Sequence, residues 1–198
     1  MARIVNEQLR QQKRAVICTA AEKLFAANGF AYTTISSIAK EAGVSHAAVF
    51  TYFPSKEDLI YYVVLEPLQE SRQRLEWIIA ENKPVVETLR AVVQEHIKMV
   101  VERRTFLCLT QQVMGHPEQY PELTRSILNY GENFINMLEP LIKKGQAIGE
   151  LEPGDARMIG WTYFAFFNGA GLIFIDSSDD FVRLTSEYAL RTFGIRTS

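Results

Sequence analysis

The side chains able to do covalent or metal chemistry are few and scattered. The three histidines, His46, His96 and His116, share no spacing that presents two imidazoles to one ion. Cys18 and Cys108 lie far apart and form no CxxC pair. They fit a reducing compartment and read as small buried hydrophobes, the alternative being a sensing thiol that would need exposure and a lowered pKa. There is no phosphate-cradling glycine loop, no GxSxG and no outstanding carboxylate pair. No cofactor or metal is expected, and the chain is not expected to be an enzyme.

The polar residues that do fall in a meaningful pattern lie between Thr33 and Leu59. Ile35, Ile38, Ala39 and Ala42 recur at i, i+3, i+4 and i+7, one face of a two-turn helix. Gly43 follows, where a sharp turn with positive φ costs glycine little. Ser45 is a good N-cap for a second short helix, whose Val49 and Phe53 face inward. His46, Ala47, Ala48, Thr51 and Tyr52 are left on its outer face and flank. Two short helices meeting at a glycine turn form a helix-turn-helix, whose second helix can read base edges in a major groove. There His46 and Thr51 would offer hydrogen bonds, and Ala47 and Ala48 close approach. The same periodicity also fits a helical hairpin buried in an ordinary bundle.

The ordered residues separate these readings. Gly29-Phe30, Thr33-Thr34-Ile35, Ile38-Ala39, Ala42-Gly43-Val44-Ser45, Phe50, Tyr52-Phe53 and Ser55-Lys56-Glu57-Asp58-Leu59 resemble the DNA-binding head of TetR-family regulators. The resemblance implies phosphate contacts at Thr33, Thr34, Ser45, Tyr52 and Lys56, and groove contacts at His46, Ala47, Ala48 and Thr51. Phe50 stands where that family often has Tyr, and Ala47 where it often has Gly, so operator choice should differ.

The elements that position these residues are helical throughout. The expected fold is all-α, with about nine helices: a three-helix head over residues 1–54 and a larger ligand-sensing and dimerisation body over 55–198. The first helix is expected at about Glu7–Asn28, ended by Asn28-Gly29. Ser55 opens a fourth helix that Pro67 should kink or interrupt. Later helices are expected from Lys83-Pro84, about Arg103, Pro121, Asp155 and Ser178.

Charge supports this division. Residues 1–60 hold seven Lys/Arg against five Asp/Glu, whereas the remainder holds 14 against 18. A mildly basic head on an acidic body suits a DNA binder.

The body is rich in large adaptable side chains. Gln69, His96, Met99, Met114, Phe134, Trp161, Phe164 and Asn168 are the candidate lining of a pocket for a small hydrophobic effector. Met158 to Ile175 carries no charge and is expected to be a fully buried helix, not a membrane span. The polar start of the chain has no secretory apolar run, so a cytoplasmic location is expected.

By the family resemblance, and because terminal amphipathic helices need a partner, the last two helices are expected to form a homodimer interface. Ala165, Gly169, Leu184, Tyr188 and Phe193 would contribute. Two heads on one two-fold axis would read a palindromic operator on double-stranded DNA, with the effector releasing it. The alternative is an all-helical small-molecule-binding protein or enzyme that does not bind DNA.

Overall fold

The computed structural model describes residues 2–173 and 178–195. Among these it has nine helices: α1 (Ala2–Tyr32), α2 (Ile35–Glu41), α3 (His46–Tyr52), α4 (Lys56–Ala80), α5 (Val85–Glu102), α6 (Arg104–Gly115), α7 (Pro121–Ala147), α8 (Ala156–Ile173) and α9 (Asp179–Arg191). The expected all-α fold is present. The described extended pairing is one isolated bridge, Leu151 to Ile195.

The punctuation in the sequence accounts for most boundaries. α1 breaks at Gly29, which has φ +74°, and one further helical turn reaches Tyr32. Thr34 caps α2 in a reciprocal pair with Ser37. Thr34 Oγ1 accepts from the Ser37 N–H and Ser37 Oγ from the Thr34 N–H, each at 3.1 Å. Ser45 and Ser55 cap α3 and α4 by accepting the N–H of Ala48 and Asp58. Asp155 Oδ1 accepts the Met158 N–H at 2.9 Å at the start of α8. α4 runs through Pro67 without interruption. Proline removes one intrahelical hydrogen bond there, and burial of Pro67 against neighbouring elements offsets the loss.

Two apolar cores form. One joins Ile17, Ala21 and Phe25 of α1, Ile38 of α2 and Val49 of α3 to Leu59, Ile60, Val63 and Val64 of α4, and continues into Phe106 and Leu109 of α6. The other joins Leu75 of α4 to Leu89, Val92 and Val93 of α5, Phe134 and Leu138 of α7, Tyr163 of α8, and Ala189 and Phe193. α4 belongs to both. Phe25 and Phe134 are fully enclosed; truncating a residue of that kind to Ala costs about 3–5 kcal/mol.

Two expectations change. α8 is not fully buried. Gly160, Tyr163, Phe167, Ala170 and Gly171 face the core, while Met158, Thr162, Ala165, Leu172 and Ile173 are exposed along the opposite side. An added Cβ at Gly171 would stand 2.7 Å from Leu107 Cδ1, so a larger residue there would push that side chain of α6 aside. Phe193 is completely buried against Tyr163, with ring centroids 4.7 Å apart, so it belongs to the core and not to an apolar edge. Leu184 and Tyr188 are exposed on α9 as expected. Among the described residues, no helix is long and apolar enough to cross a membrane.

Candidate nucleic-acid interface and effector core

Helix α3 owes its orientation to one residue pair. Val49 and Phe53 are buried in the head-side core, which turns the opposite face outward. His46, Ala47, Phe50 and Thr51 are exposed there; Ala48 and Tyr52 are half-buried on its flanks. The His46 and Phe50 rings meet at 5.1 Å, and the Thr51 hydroxyl donates to the Ala47 carbonyl at 3.3 Å. An α-helix is about 10–12 Å across with its side chains and enters a major groove about 12 Å wide. Thr34 and Ser45 are exposed at the starts of α2 and α3.

Two of the expected phosphate residues are placed differently. Thr33 is buried, and its hydroxyl donates to the Leu24 carbonyl at 3.1 Å and the Gly29 carbonyl at 2.8 Å. Its side chain is spent on closing the α1–α2 turn, so it leaves the phosphate set. Lys56 donates to the carbonyls of Phe30 at 2.8 Å and Thr33 at 2.9 Å, and its ammonium lies 4.1 Å from the Phe30 ring centre. An ammonium has three N–H donors. Two clamp the turn and one remains for an anion.

Sequence reasoning missed one cationic contribution. Arg10 and Arg14 of α1 line a cleft with Tyr52, beside the flank of α3. Arg14 lies over the Tyr62 ring at 3.9 Å. The i, i+3, i+4 spacing of Arg10, Lys13 and Arg14 was the available signal.

In the body, the structure brings His96, Phe134, Trp161 and Phe164 together. His96 is buried and its ring stacks on Phe167 at 4.3 Å and packs on Phe134 at 4.9 Å. Phe134 meets Phe164 at 5.7 Å, and Phe164 meets Trp161 at 5.8 Å. Asn168 is adjacent, donating to the Phe164 carbonyl at 2.8 Å. Met99 is half-buried against the head-side core. Gln69 is exposed in a groove between α4 and α7, and Met114 is half-buried near the end of α6. Gln69 shares that groove with Tyr130, and the core on which Met99 packs contains Phe167.

Two residues outside the expected lining complete it. The Tyr163 hydroxyl lies 2.7 Å from His96 Nδ1, and the Tyr130 hydroxyl lies 2.9 Å from Ser71 Oγ of α4. Tyr130 in turn lies 6.4 Å from Phe164. Around the buried His96, Phe134 and Tyr163 lie the half-buried Trp161, Phe164 and Tyr130, an apolar group that holds a few hydroxyls and one imidazole.

Burial governs the ionisable groups. It pushes His96 down to about 3, so the imidazole is neutral, and it pushes the Cys18 thiol up to about 12. A thiol so raised is almost never thiolate, which argues against redox sensing at Cys18. Among the described residues, no group of three His, Cys, Asp or Glu is placed to hold a metal ion.

A family model described as "Bacterial regulatory proteins, tetR family" matches residues 17–63. The fatty acid metabolism regulator protein of Bacillus subtilis (strain 168) is 27% identical over 150 residues, 75% of this chain and 76% of its own. The HTH-type transcriptional regulator TtgR of Pseudomonas putida is 26% identical over 181 residues, 85% and 82% of the two chains. Among solved structures, the fatty acid degradation regulator FadR from Bacillus halodurans aligns with TM-score 0.70 at 23% identity, over 90% of this chain and 94% of that one. FadR from Bacillus subtilis in complex with stearoyl-CoA aligns with TM-score 0.67 at 24% identity, over 91% and 97%. At these identities the structural likeness speaks for the fold.

Two outcomes follow from the geometry. Lys56→Ala should lose about 1–2 kcal/mol of stability through its two carbonyl contacts, weaken binding to every DNA sequence, and lower the salt slope by about one. Thermal melting and salt-dependent DNA titration check this. His96 binds its proton more weakly folded than unfolded, where its pKa is about 6.5. Its contribution to stability is therefore complete above that value and is lost as the pH falls towards 3. Between pH 7 and pH 5 the wild type should lose about 2 kcal/mol more than the His96→Phe variant, measured by denaturant titration.

Proposed function

Because the chain belongs to the TetR family of bacterial regulatory proteins, we propose that it is a ligand-responsive transcriptional repressor whose dimer binds a palindromic operator and is released by a small apolar effector. The observation that carries this reading is the capped helix α3. Its inner residue Val49 is locked in the core, and His46, Ala47 and Thr51 point outward together. We assign base reading to His46, Ala47, Ala48 and Thr51. Phosphate contact falls to Thr34, Ser45, Tyr52 and the remaining donor of Lys56, with Arg10 beside them. DNA binding occupies residues 1–54, and sensing and dimerisation 55–198. The protein works in the cytoplasm and catalyses no reaction of its own.

The dimer forms through the exposed side of α8 and α9. Met158, Ala165, Leu172 and Ile173 make one stripe, and Leu184 and Tyr188 extend it. Leaving such a stripe in water is costly, and burying it against a second copy returns roughly 25 cal/mol per Å².

The effector enters the aromatic group around His96, Phe134, Trp161 and Phe164. Related regulators are named for fatty acid metabolism, and one related fold holds stearoyl-CoA. This supports an acyl-thioester as the effector. Admitting it displaces Phe164, whose ring reaches Tyr130, which is hydrogen-bonded to Ser71 on α4. α4 carries Lys56 at its other end, so its tilt sets the position of the heads.

The test is selection of bound fragments from genomic DNA, followed by competition with stearoyl-CoA. Enrichment of a palindrome and its loss on adding stearoyl-CoA are the expected results. Failure to enrich any sequence would overturn the repressor reading. Enrichment that stearoyl-CoA leaves intact would overturn only the effector class.

A further inference from the structure

We infer that His96 sets effector specificity: its Nε2–H donates a hydrogen bond to an uncharged carbonyl oxygen of the ligand, as found in a thioester, ester or ketone. The inference rests on the effector reading above and deepens it.

His96 Nε2 is buried and has no hydrogen-bond partner among the described residues, whereas Nδ1 is held 2.7 Å from the Tyr163 hydroxyl. Tyr163 is itself fully buried. Two arrangements of protons are available to a neutral imidazole. If Nδ1–H donates to Tyr163, then both Nε2 and the Tyr163 O–H lack partners. If the Tyr163 O–H donates to Nδ1, only Nε2 is unpaired, and it carries the hydrogen. Leaving one buried polar group unpaired costs less than leaving two, so the second arrangement is the stable one. The body thus keeps one N–H donor, unpaired, inside an aromatic group.

The surroundings decide which acceptor fits. The rings packed on His96 are Phe134, Tyr163 and Phe167, none of them charged. A carboxylate brought here would lose its hydration without gaining a cation, a large cost. A hydrocarbon would leave the N–H as it is. A neutral carbonyl satisfies the donor and carries its apolar chain into the rings. The gain from one such hydrogen bond corresponds to about tenfold in affinity.

Binding of stearoyl-CoA is compared with S-octadecyl-CoA, in which a methylene replaces the carbonyl, and with the ketone 2-tridecanone. The hosts are the wild type and the double variant His96→Phe/Tyr163→Phe, which removes both polar partners and keeps an apolar core. Nitrogen-15 NMR of labelled histidine reads the Nε2–H in the wild type, so the test survives a poorly folded variant. The expected results are protonation at Nε2 without ligand, a shift of that signal by either carbonyl compound, and about tenfold preference for stearoyl-CoA over the thioether. That preference is lost in the double variant. If stearoyl-CoA binds and releases DNA while the Nε2 signal stays put and the thioether binds equally, the His96 role is overturned and the effector reading stands. If stearoyl-CoA does not bind but 2-tridecanone moves the signal, the donor role is supported and the acyl-thioester reading falls. No shift with any compound overturns the proposal.

Discussion

The helix α4 is a structural member of both apolar cores, and the rest of the molecule depends on that sharing. Its first half supplies Leu59, Ile60, Val63 and Val64 to the core that holds α1, α2 and α3 in place. Its second half supplies Leu75 to the core of the body. With 25 residues it spans about 37 Å, from the turn clamped by Lys56 to the far end of the body. A close-packed interior transmits displacement rather than absorbing it. On the proposed scheme, a change in the seating of α4 in the body would carry the head with it.

The aromatic group meets α4 through the hydrogen bond between Ser71 and Tyr130 and through the core that Phe134 and Tyr163 share with Leu75. Its members sit on α5, α7 and α8, so a ligand lodged among them bears on three helices at once. Gly131 of α7 lies under Phe164, where an added Cβ would stand 3.0 Å from the ring. For a ligand to shift the heads, it must bind the two seatings with unequal affinity. The unpaired donor at His96 supplies an inequality if its partner can be reached in only one of them.

Much of the fold was legible because it is written in local punctuation. Ser45, Ser55, Asp155 and Gly29 announce their boundaries through capping chemistry that needs no tertiary contact. The orientation of α3 was legible for a similar reason: Val49 and Phe53 at i and i+4 fix which side faces in. What failed to show was long-range. Thr33 and Lys56 look alike as phosphate ligands in sequence, yet the hydroxyl of one and two donors of the other go to turn carbonyls brought near by folding. Tyr163 is separated from His96 by 67 residues, and no periodicity links them. The uncharged stretch of α8 read as wholly buried because composition does not distinguish a core face from an apolar face left exposed.

The coupling through α4 is tested most directly by the distance between the two heads. Spin labels at Tyr32→Cys, which is well exposed, in a background with Cys18 and Cys108 replaced by Ala, report that distance in the dimer by pulsed electron resonance. Adding stearoyl-CoA at a concentration that releases operator DNA should shift the distance distribution by several ångströms, on the order of the one-turn pitch of a helix. Release of the operator with an unchanged distribution would contradict the coupling.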